Sequence, residues 1–411
     1  MTQRRVAVTG IGVICALGNN RADFWNALCA GTSGIRTISS LDPARLRYPN
    51  VAEISGLNPA DHLPAKQRDL LDRFSLLALI AAREAITDAG LDKNKLTPIR
   101  TAVITGAVGG GSLSLDHGYQ ELYARKQPRV SPLTIPRIMP CASASWVSID
   151  LGITGPALTI STACASSAHA LGFAFWMVRN GLVDLAIAGG SEAPFSYGNL
   201  KAWEALRVLS EDTCRPFSTG RTGTILGEGA AILVLESERL ALARGARIYA
   251  ESSGFGMSSD ASHLVQPASD GAFRAMRAAL EDAGLTANAI AHINAHGTGT
   301  VANDIAESQA IRRLFREHTE NVWVTSTKSA HGHTLGAAGA IEAAATVLAL
   351  SSGTLPPTIN FLGKDPECDL QIVPSVARNQ FCEHALSNSF AFGGLNATLS
   401  FRRSRSREDI G

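Results

Sequence analysis

The sequence has no CxxC pair, and its seven cysteines (Cys15, Cys29, Cys141, Cys164, Cys214, Cys368 and Cys382) are odd in number and scattered. That pattern argues against a disulfide framework or a zinc ribbon and fits mostly buried thiols in a reducing cytoplasm. An excess of one charge is also missing: 37 Lys and Arg stand against 36 Asp and Glu, a formal charge of +1. Nothing global therefore draws the chain to nucleic acid or to an anionic membrane, and an acidic partner must be met by a local basic patch. Charged residues make up only 18% of the 411 positions and apolar residues 45%, which excludes a disordered chain and is enough for a large packed core. No run approaches the apolar length of a membrane span. The segment nearest to a secretory leader, Arg4-Arg5 followed by apolar residues 6–17, is interrupted by Gly10 and Gly12. No small-residue cleavage site follows it, so it reads as a buried first strand.

What is present alternates. Short apolar runs ending in Gly or Ser recur at residues 5–14, 101–106, 157–161, 184–189, 230–235, 247–254, 291–294, 322–326, 386–389 and 396–401. Alanine-rich helical patterns lie between many of them, at 75–89, 165–180, 273–283 and 338–350. Such alternation predicts an α/β fold with a mainly buried sheet. An internal echo sharpens this. Residues 85–91 read Ala-Ile-Thr-Asp-Ala-Gly-Leu and residues 279–285 read Ala-Leu-Glu-Asp-Ala-Gly-Leu, and Ser161-Thr162 is matched in the same order by Ser326-Thr327. Two matches in one order point to duplication of a single α/β unit. The expected division is a half at 1–246, a half at 247–403 and a flexible, solvated tail at 404–411, with no linker between the halves. Arg402, Arg403, Arg405 and Arg407 cluster at this end of the chain.

Four segments carry chemistry. In Thr162-Ala163-Cys164-Ala165-Ser166-Ser167 a strand gives way to a helix. A thiol there faces the helix dipole and free N–H groups, both of which favour the thiolate. A free cysteine is more often a small apolar filler, but none of the other six has this setting. In Asn294-Ala295-His296-Gly297-Thr298-Gly299-Thr300 a histidine leaves a strand into a glycine loop, and the Thr298 and Thr300 hydroxyls can orient an imidazole or a bound amide. In Ser326-Thr327-Lys328-Ser329-Ala330-His331-Gly332-His333 a strand again ends and a second histidine follows. A lone histidine is usually structural; two in equivalent positions are harder to dismiss. Asn388-Ser389-Phe390-Ala391-Phe392-Gly393-Gly394 suits a mobile loop offering N–H groups to an oxyanion. Two patterns are decoys. His292 and His296 have HxxxH spacing but sit on a strand without the zinc-hydrolase glutamate, and the glycines at 106 and 109–111 lack GxGxxG spacing.

Together these motifs closely resemble the elongating β-ketoacyl-[acyl-carrier-protein] synthases, of the synthase II type, over nearly the whole chain. The resemblance implies the thiolase fold, with duplicated αβαβα halves in a five-layered body. It implies a Cys164, His296 and His333 site that condenses an acyl group held on Cys164 with malonyl-carrier protein after decarboxylation. It places Lys328 and Glu342 as a charged pair behind the histidines, with Asp304 and Glu307 in the same network. The N–H groups of Cys164 and Phe392 would form the oxyanion hole, with Phe392 as the gate. Val108 would limit acyl length, Thr298, Thr300 and Phe390 would line the substrate site, and Lys66, Arg68 and Arg73 would dock the acyl carrier protein. No metal and no cofactor are implied. A cytoplasmic homodimer is, or a heterodimer with a chain-length factor. Two departures stand out: Ala391 replaces a usual glycine of the gate, and Ser210-Glu211 stands where a docking arginine is expected. Residues 200–207 and 214–217 look more like the rhizobial nodulation-factor ketosynthases. A non-catalytic chain-length-factor subunit is disfavoured by Cys164, and an initiating synthase with a Cys-His-Asn site is disfavoured by His333.

Overall fold

The computed structural model describes residues 3–93, 96 and 99–404. The proposed tail beyond 404 lies outside the described residues. Eleven strands form the main sheet: β1 (Val6–Cys15), β2 (Thr101–Gly106), β3 (Ala157–Ile160), β4 (Leu185–Glu192), β5 (Gly229–Ser237), β6 (Ala250–Ser259), β7 (Ile290–Asn294), β8 (Trp323–Thr325), β9 (Gln371–Ile372), β10 (His384–Ala391) and β11 (Leu395–Arg403). Every residue of β1 is buried, as the apolar run near the N-terminus predicts.

The strand order is β9-β8-β7-β10-β11-β6-β1-β5-β4-β2-β3. Outward from the β1/β6 contact, each side repeats one pattern of first, fifth, fourth, second and third strand, with β9 added beyond β8. Directions repeat as well: β2 runs parallel to β3 and β4, and β7 parallel to β8 and β10, while the fifth strands β5 and β11 run antiparallel to both neighbours. Short antiparallel pairing of Val6–Val8 with Ala250–Ser252 joins the two copies.

Helices α1 (Arg73–Asp88) and α3 (Ser269–Ala283) cover the outer faces, α1 on β1 and β5 and α3 on β6 and β11. Both stop at the echoed Asp-Ala-Gly-Leu, where Gly90 (φ +65°) and Gly284 (φ +66°) take the left-handed turn that ends a helix. Their seating on the sheet is duplicated too. A Cβ on Gly10 or Gly12 would lie 2.2 or 1.9 Å from the carbonyls of Ala85 or Ala81, and one on Gly254 or Gly256 would lie 2.6 or 2.2 Å from those of Ala279 or Ala275. Glycine pairs in the first strands thus let each outer helix lie against the sheet.

Helices α2 (Ser166–Arg179) and α5 (Ala338–Ser352) pack against each other and contact both copies of the sheet, giving five layers. Burial on all sides explains why α5 is apolar all round. It also corrects the expectation that no stretch reaches membrane-span length. Leu335–Ser352 does so, with mean hydropathy 1.5, yet 89% of it is buried inside the protein. Helix α4 (Val301–Phe315) packs on α3.

The Gly12→Ala variant should be destabilised by about 1–3 kcal/mol, because its methyl group meets a backbone carbonyl that cannot move without α1. Denaturant unfolding measures this, and an unchanged midpoint would contradict the close approach.

Candidate active site

Strand β3 ends at Ile160, and the chain turns into α2 through a strained residue, Ala163 (φ +48°). This left-handed conformation costs a non-glycine residue on the order of 1–2 kcal/mol. Local bonds hold it: Thr162 N–H donates to Ser166 Oγ (2.9 Å), which donates to the Ala163 carbonyl (2.6 Å). The turn delivers Cys164, 7% exposed, into a cavity of about 110 Å³. His296, His333, Thr298, Thr300, Phe390 and Phe392 line the same cavity, which brings together residues from all four sequence segments.

Burial pushes the Cys164 thiol up to about 12, although the Lys328 charge and the main-chain N–H groups of Phe392 and of Cys164 itself pull the other way. Desolvation of a buried thiolate outweighs that cation and those N–H groups, and the Glu192 charge adds to the rise.

His296 and His333 face each other edge to face, with ring centroids 5.4 Å apart. Each has its Nδ1 occupied by a donor. The Lys328 ammonium lies 3.3 Å from His296 Nδ1, and the Leu335 N–H donates to His333 Nδ1 at 3.3 Å. An ammonium can only donate, as can an amide N–H, so both Nδ1 atoms act as acceptors and both Nε2 atoms carry the proton. Burial, followed by the Lys328 charge, holds both imidazoles well below their usual range, so they are neutral at physiological pH.

Behind them, fully buried Lys328 also donates to the His296 carbonyl (2.6 Å) and pairs with Glu342 on α5. Burial raises the Glu342 carboxyl, and Lys328 opposes that rise. Glu307 accepts the N–H groups of His296 (2.9 Å) and Gly297 (2.8 Å), together with the Asn388 amide (3.2 Å). Asp304 accepts from Phe217 (2.8 Å) and Gly299 (3.2 Å), so the two carboxylates fix both sides of the histidine loop. Thr298 and Thr300 hydroxyls bond each other (2.8 Å), and Thr300 caps α4.

Other expectations fall elsewhere. The backbone of Val108 abuts Gly336, and the residue, 38% exposed, is not among those lining this cavity. Arg73 makes a two-pronged ion pair with buried Glu228 (2.6 and 2.7 Å) and keeps part of its side chain exposed. Lys66 is exposed and Arg68 half-buried on the short helix Ala65–Arg68. His292 turns to the Thr325 hydroxyl (2.9 Å), away from the His296–His333 pair. Ala391 is extended (φ −103°, ψ 159°), a conformation that needs no glycine.

Sequence reasoning missed Glu192 and Trp203. Glu192, 1% exposed, accepts the N–H groups of Val108 (2.9 Å), Gly109 (2.9 Å) and Gly336 (3.2 Å), tying the glycine turn after β2 to the segment after His333. Burial pushes its carboxyl up to about 7. The available signal was a carboxylate directly after the apolar run of β4. Trp203 lines the cavity, and its ring lies nearly parallel to that of Phe392. A lone tryptophan in a polar helix was its only mark.

With the thiol pushed up to about 12, alkylation of Cys164 by iodoacetamide should rise about tenfold per pH unit from pH 7 to 9 without levelling off. Peptide mapping at each pH follows Cys164 alone, and a plateau near neutrality would overturn the protonated resting state.

Residues 3–241 match the family described as "Beta-ketoacyl synthase, N-terminal domain" and residues 249–362 the "Beta-ketoacyl synthase, C-terminal domain". Nodulation protein E of Rhizobium sp. (strain N33) is 46% identical over 400 residues, 97% of this chain and 99% of that protein. The 3-oxoacyl-[acyl-carrier-protein] synthase 2 of Staphylococcus aureus (strain COL) is 41% identical over 407 residues, 97% of this chain and 98% of that protein. Among solved structures, the ishigamide ketosynthase/chain length factor superposes with a TM-score of 0.94 at 36% identity, covering 98% of this chain and 100% of that one. A ketosynthase structure with a type II polyketide acyl-carrier protein in complex gives a TM-score of 0.90 at 30% identity, covering 98% and 100%. With a duplicated five-layer body and full-length relatives of this kind, the chain belongs to the β-ketoacyl synthase family of thiolase-fold acyltransferases.

Proposed function

We propose that the chain extends an acyl group bound to Cys164 by decarboxylative condensation with malonyl-acyl-carrier protein, as a β-ketoacyl synthase of fatty-acid or polyketide-like biosynthesis. The observation that carries this reading is the pair of neutral imidazoles beside one thiol, each with Nδ1 occupied and Nε2–H free to donate. Acyl transfer forms the Cys164 Sγ–C bond and breaks the carrier thioester C–S bond, and the thiol proton leaves with the carrier's sulfur. Loss of carbon dioxide from the malonyl group then builds charge on the thioester oxygen, where the two Nε2–H donors of His296 and His333 stabilise it. The enolate carbon attacks the acyl carbonyl, whose oxygen is received by the N–H groups of Cys164 and Phe392. A C–C bond forms, and the sulfur departs and is reprotonated from solvent.

Lys328, Glu342, Asp304 and Glu307 position the histidines in this reading, Thr298, Thr300 and Phe390 bound the substrate site, and Phe392 gates it. Lys66 and Arg68 offer exposed or half-exposed positive charge to the acidic carrier. The chain divides into halves at 1–246, which brings the nucleophile, and 247–403, which brings the histidines. Dimerisation is supported by the outer edge of β3, the last strand of the sheet, where Leu158 is 40% exposed. The pair is a homodimer, or a heterodimer with a chain-length factor in which this chain, having Cys164, is the ketosynthase. The described free cysteines fit a reducing compartment, the cytoplasm.

Replacing His296 or His333 with alanine should lower condensation by about 10²–10³ while Cys164 still becomes acylated, since transfer needs the thiol and its N–H donors but not the imidazoles. Single-turnover kinetics with mass spectrometry of the acyl-enzyme separates the two steps. Condensation at the wild-type rate in either variant would defeat the assignment.

A further inference from the structure

Phe392 lines the cavity with Cys164, where its main-chain N–H favours the thiolate, and stands before two glycines in the left-handed region, Gly393 (φ +81°) and Gly394 (φ +67°). Beyond Phe392 the turn is held through its main chain: the Gly393 N–H donates to the Leu264 carbonyl (2.6 Å), and the Gly394 carbonyl accepts from the Asp260 N–H (2.9 Å) and the Asn396 amide (3.2 Å). The Phe392 ring has one aromatic neighbour among the described residues, Trp203, with centroids 6.2 Å apart and planes 20° from parallel. Trp203 stands on a helix, Tyr197–Ala205, that is fastened at both ends. At its start Ser196 accepts the Asn199 N–H (3.4 Å), the Asn199 side chain donates to the Pro194 carbonyl (2.7 Å), and the Arg45 guanidinium covers the Tyr197 ring at 4.2 Å. At its end Glu204 accepts the Arg47 N–H (2.6 Å) and pairs with Lys201. The tryptophan is anchored through its helix, and the bonds that hold the turn fall on the two glycines beyond Phe392.

We propose that Trp203 is a positioning residue for acyl transfer: its indole, stacked on Phe392, holds the Phe392 N–H where it meets the Cys164 sulfur and the oxyanion of the acylation step. This rests on the function proposed above and adds a residue to it. A parallel-displaced ring pair of this kind contributes a factor of about threefold to tenfold beyond simple burial. Trp203 also lines the cavity, so it could act only as a wall, and the two roles separate by substrate. A wall matters for a long acyl chain and not for acetyl. A stack that places an N–H matters for both, and it does not matter for malonyl decarboxylation, which relies on His296 and His333.

The experiment uses the full chain as wild type, Trp203→Phe and Trp203→Ala. It follows Cys164 acylation from acetyl- and palmitoyl-carrier protein, malonyl decarboxylation, and the melting temperature. Trp203→Ala should acylate about threefold to tenfold more slowly with both acyl groups while decarboxylating within about twofold of wild type, and Trp203→Phe, which keeps a ring, should recover most of the rate. Unchanged acylation in Trp203→Ala, a loss confined to palmitoyl, a parallel loss of decarboxylation, or no recovery in Trp203→Phe would each overturn the inference. If Trp203→Ala does not fold, Trp203→Leu, which keeps apolar bulk without a ring, takes its place with the same expected slowing. A wild type that forms no acyl-cysteine would remove the function itself, a result distinct from any difference among variants.

Discussion

The site depends on one buried cation. Lys328 has no exposure to solvent, and removing an ammonium from water costs several kcal/mol unless a partner and hydrogen bonds replace the hydration. Here the partner is Glu342 on the central helix, and the remaining donors go to the carbonyl and Nδ1 of His296. The charge therefore does three things at once. It satisfies a carboxylate that the apolar helix α5 could not otherwise bury, it fixes the orientation and tautomer of one imidazole, and it depresses the proton affinity of both. Removing either ion of the pair would leave the other uncompensated, which is why the arrangement is rigid as well as reactive.

That cation sits where the two copies of the fold meet, and the rest of the site follows from the duplication. The first copy ends its third strand in the strained turn at Ala163 and presents a thiol. The second copy ends its second and third strands in the segments holding His296 and Lys328. The glycine pairs that seat α1 and α3 are matched, so the two sheets present similar inner faces to α2 and α5. Within that central layer a Cβ on Gly339 would come within 2.8 Å of Ala168, so the helices carrying Glu342 and following Cys164 meet at a distance only glycine allows. Glu192 stitches the same boundary from below, accepting N–H groups from residues 108, 109 and 336. Neither copy holds the chemistry alone.

Much of this was legible in the chain. The strand and helix periods, the repeated Asp-Ala-Gly-Leu helix stop, and the strand-to-loop placement of Cys164, His296 and His333 are local properties. Local properties leave marks in sequence: apolar alternation, glycine where φ must be positive, small residues where backbones approach. The family resemblance added roles to those residues, and the cavity unites them. Less legible was anything whose meaning lies in a distant partner. That Arg73 pairs with a buried acceptor, Glu228, was not legible because that acceptor is far along the chain. The exposure of Val108 was not legible because sequence does not say which way a turn carries its side chain. The helix start at Cys164 read as an acid-strengthening environment because burial, the stronger influence, is a property of the assembled layers.

The amino-acid sequence by itself determined the α/β alternation, the duplication and the choice of Cys164, His296 and His333 as candidates, since each is set by the nature and spacing of neighbouring residues. Only the tertiary structure decided their chemical state. It decided that burial opposes the Cys164 thiolate, that both imidazoles are neutral with Nδ1 occupied, that Trp203 lines the cavity, that Glu192 ties residues 108, 109 and 336 together, and that Arg73 pairs with Glu228. The reason is physical: protonation, hydrogen-bond direction and availability are governed by desolvation and by charges and N–H groups a few ångströms away. Those neighbours come from segments up to about two hundred residues apart, brought together only when the two copies pack.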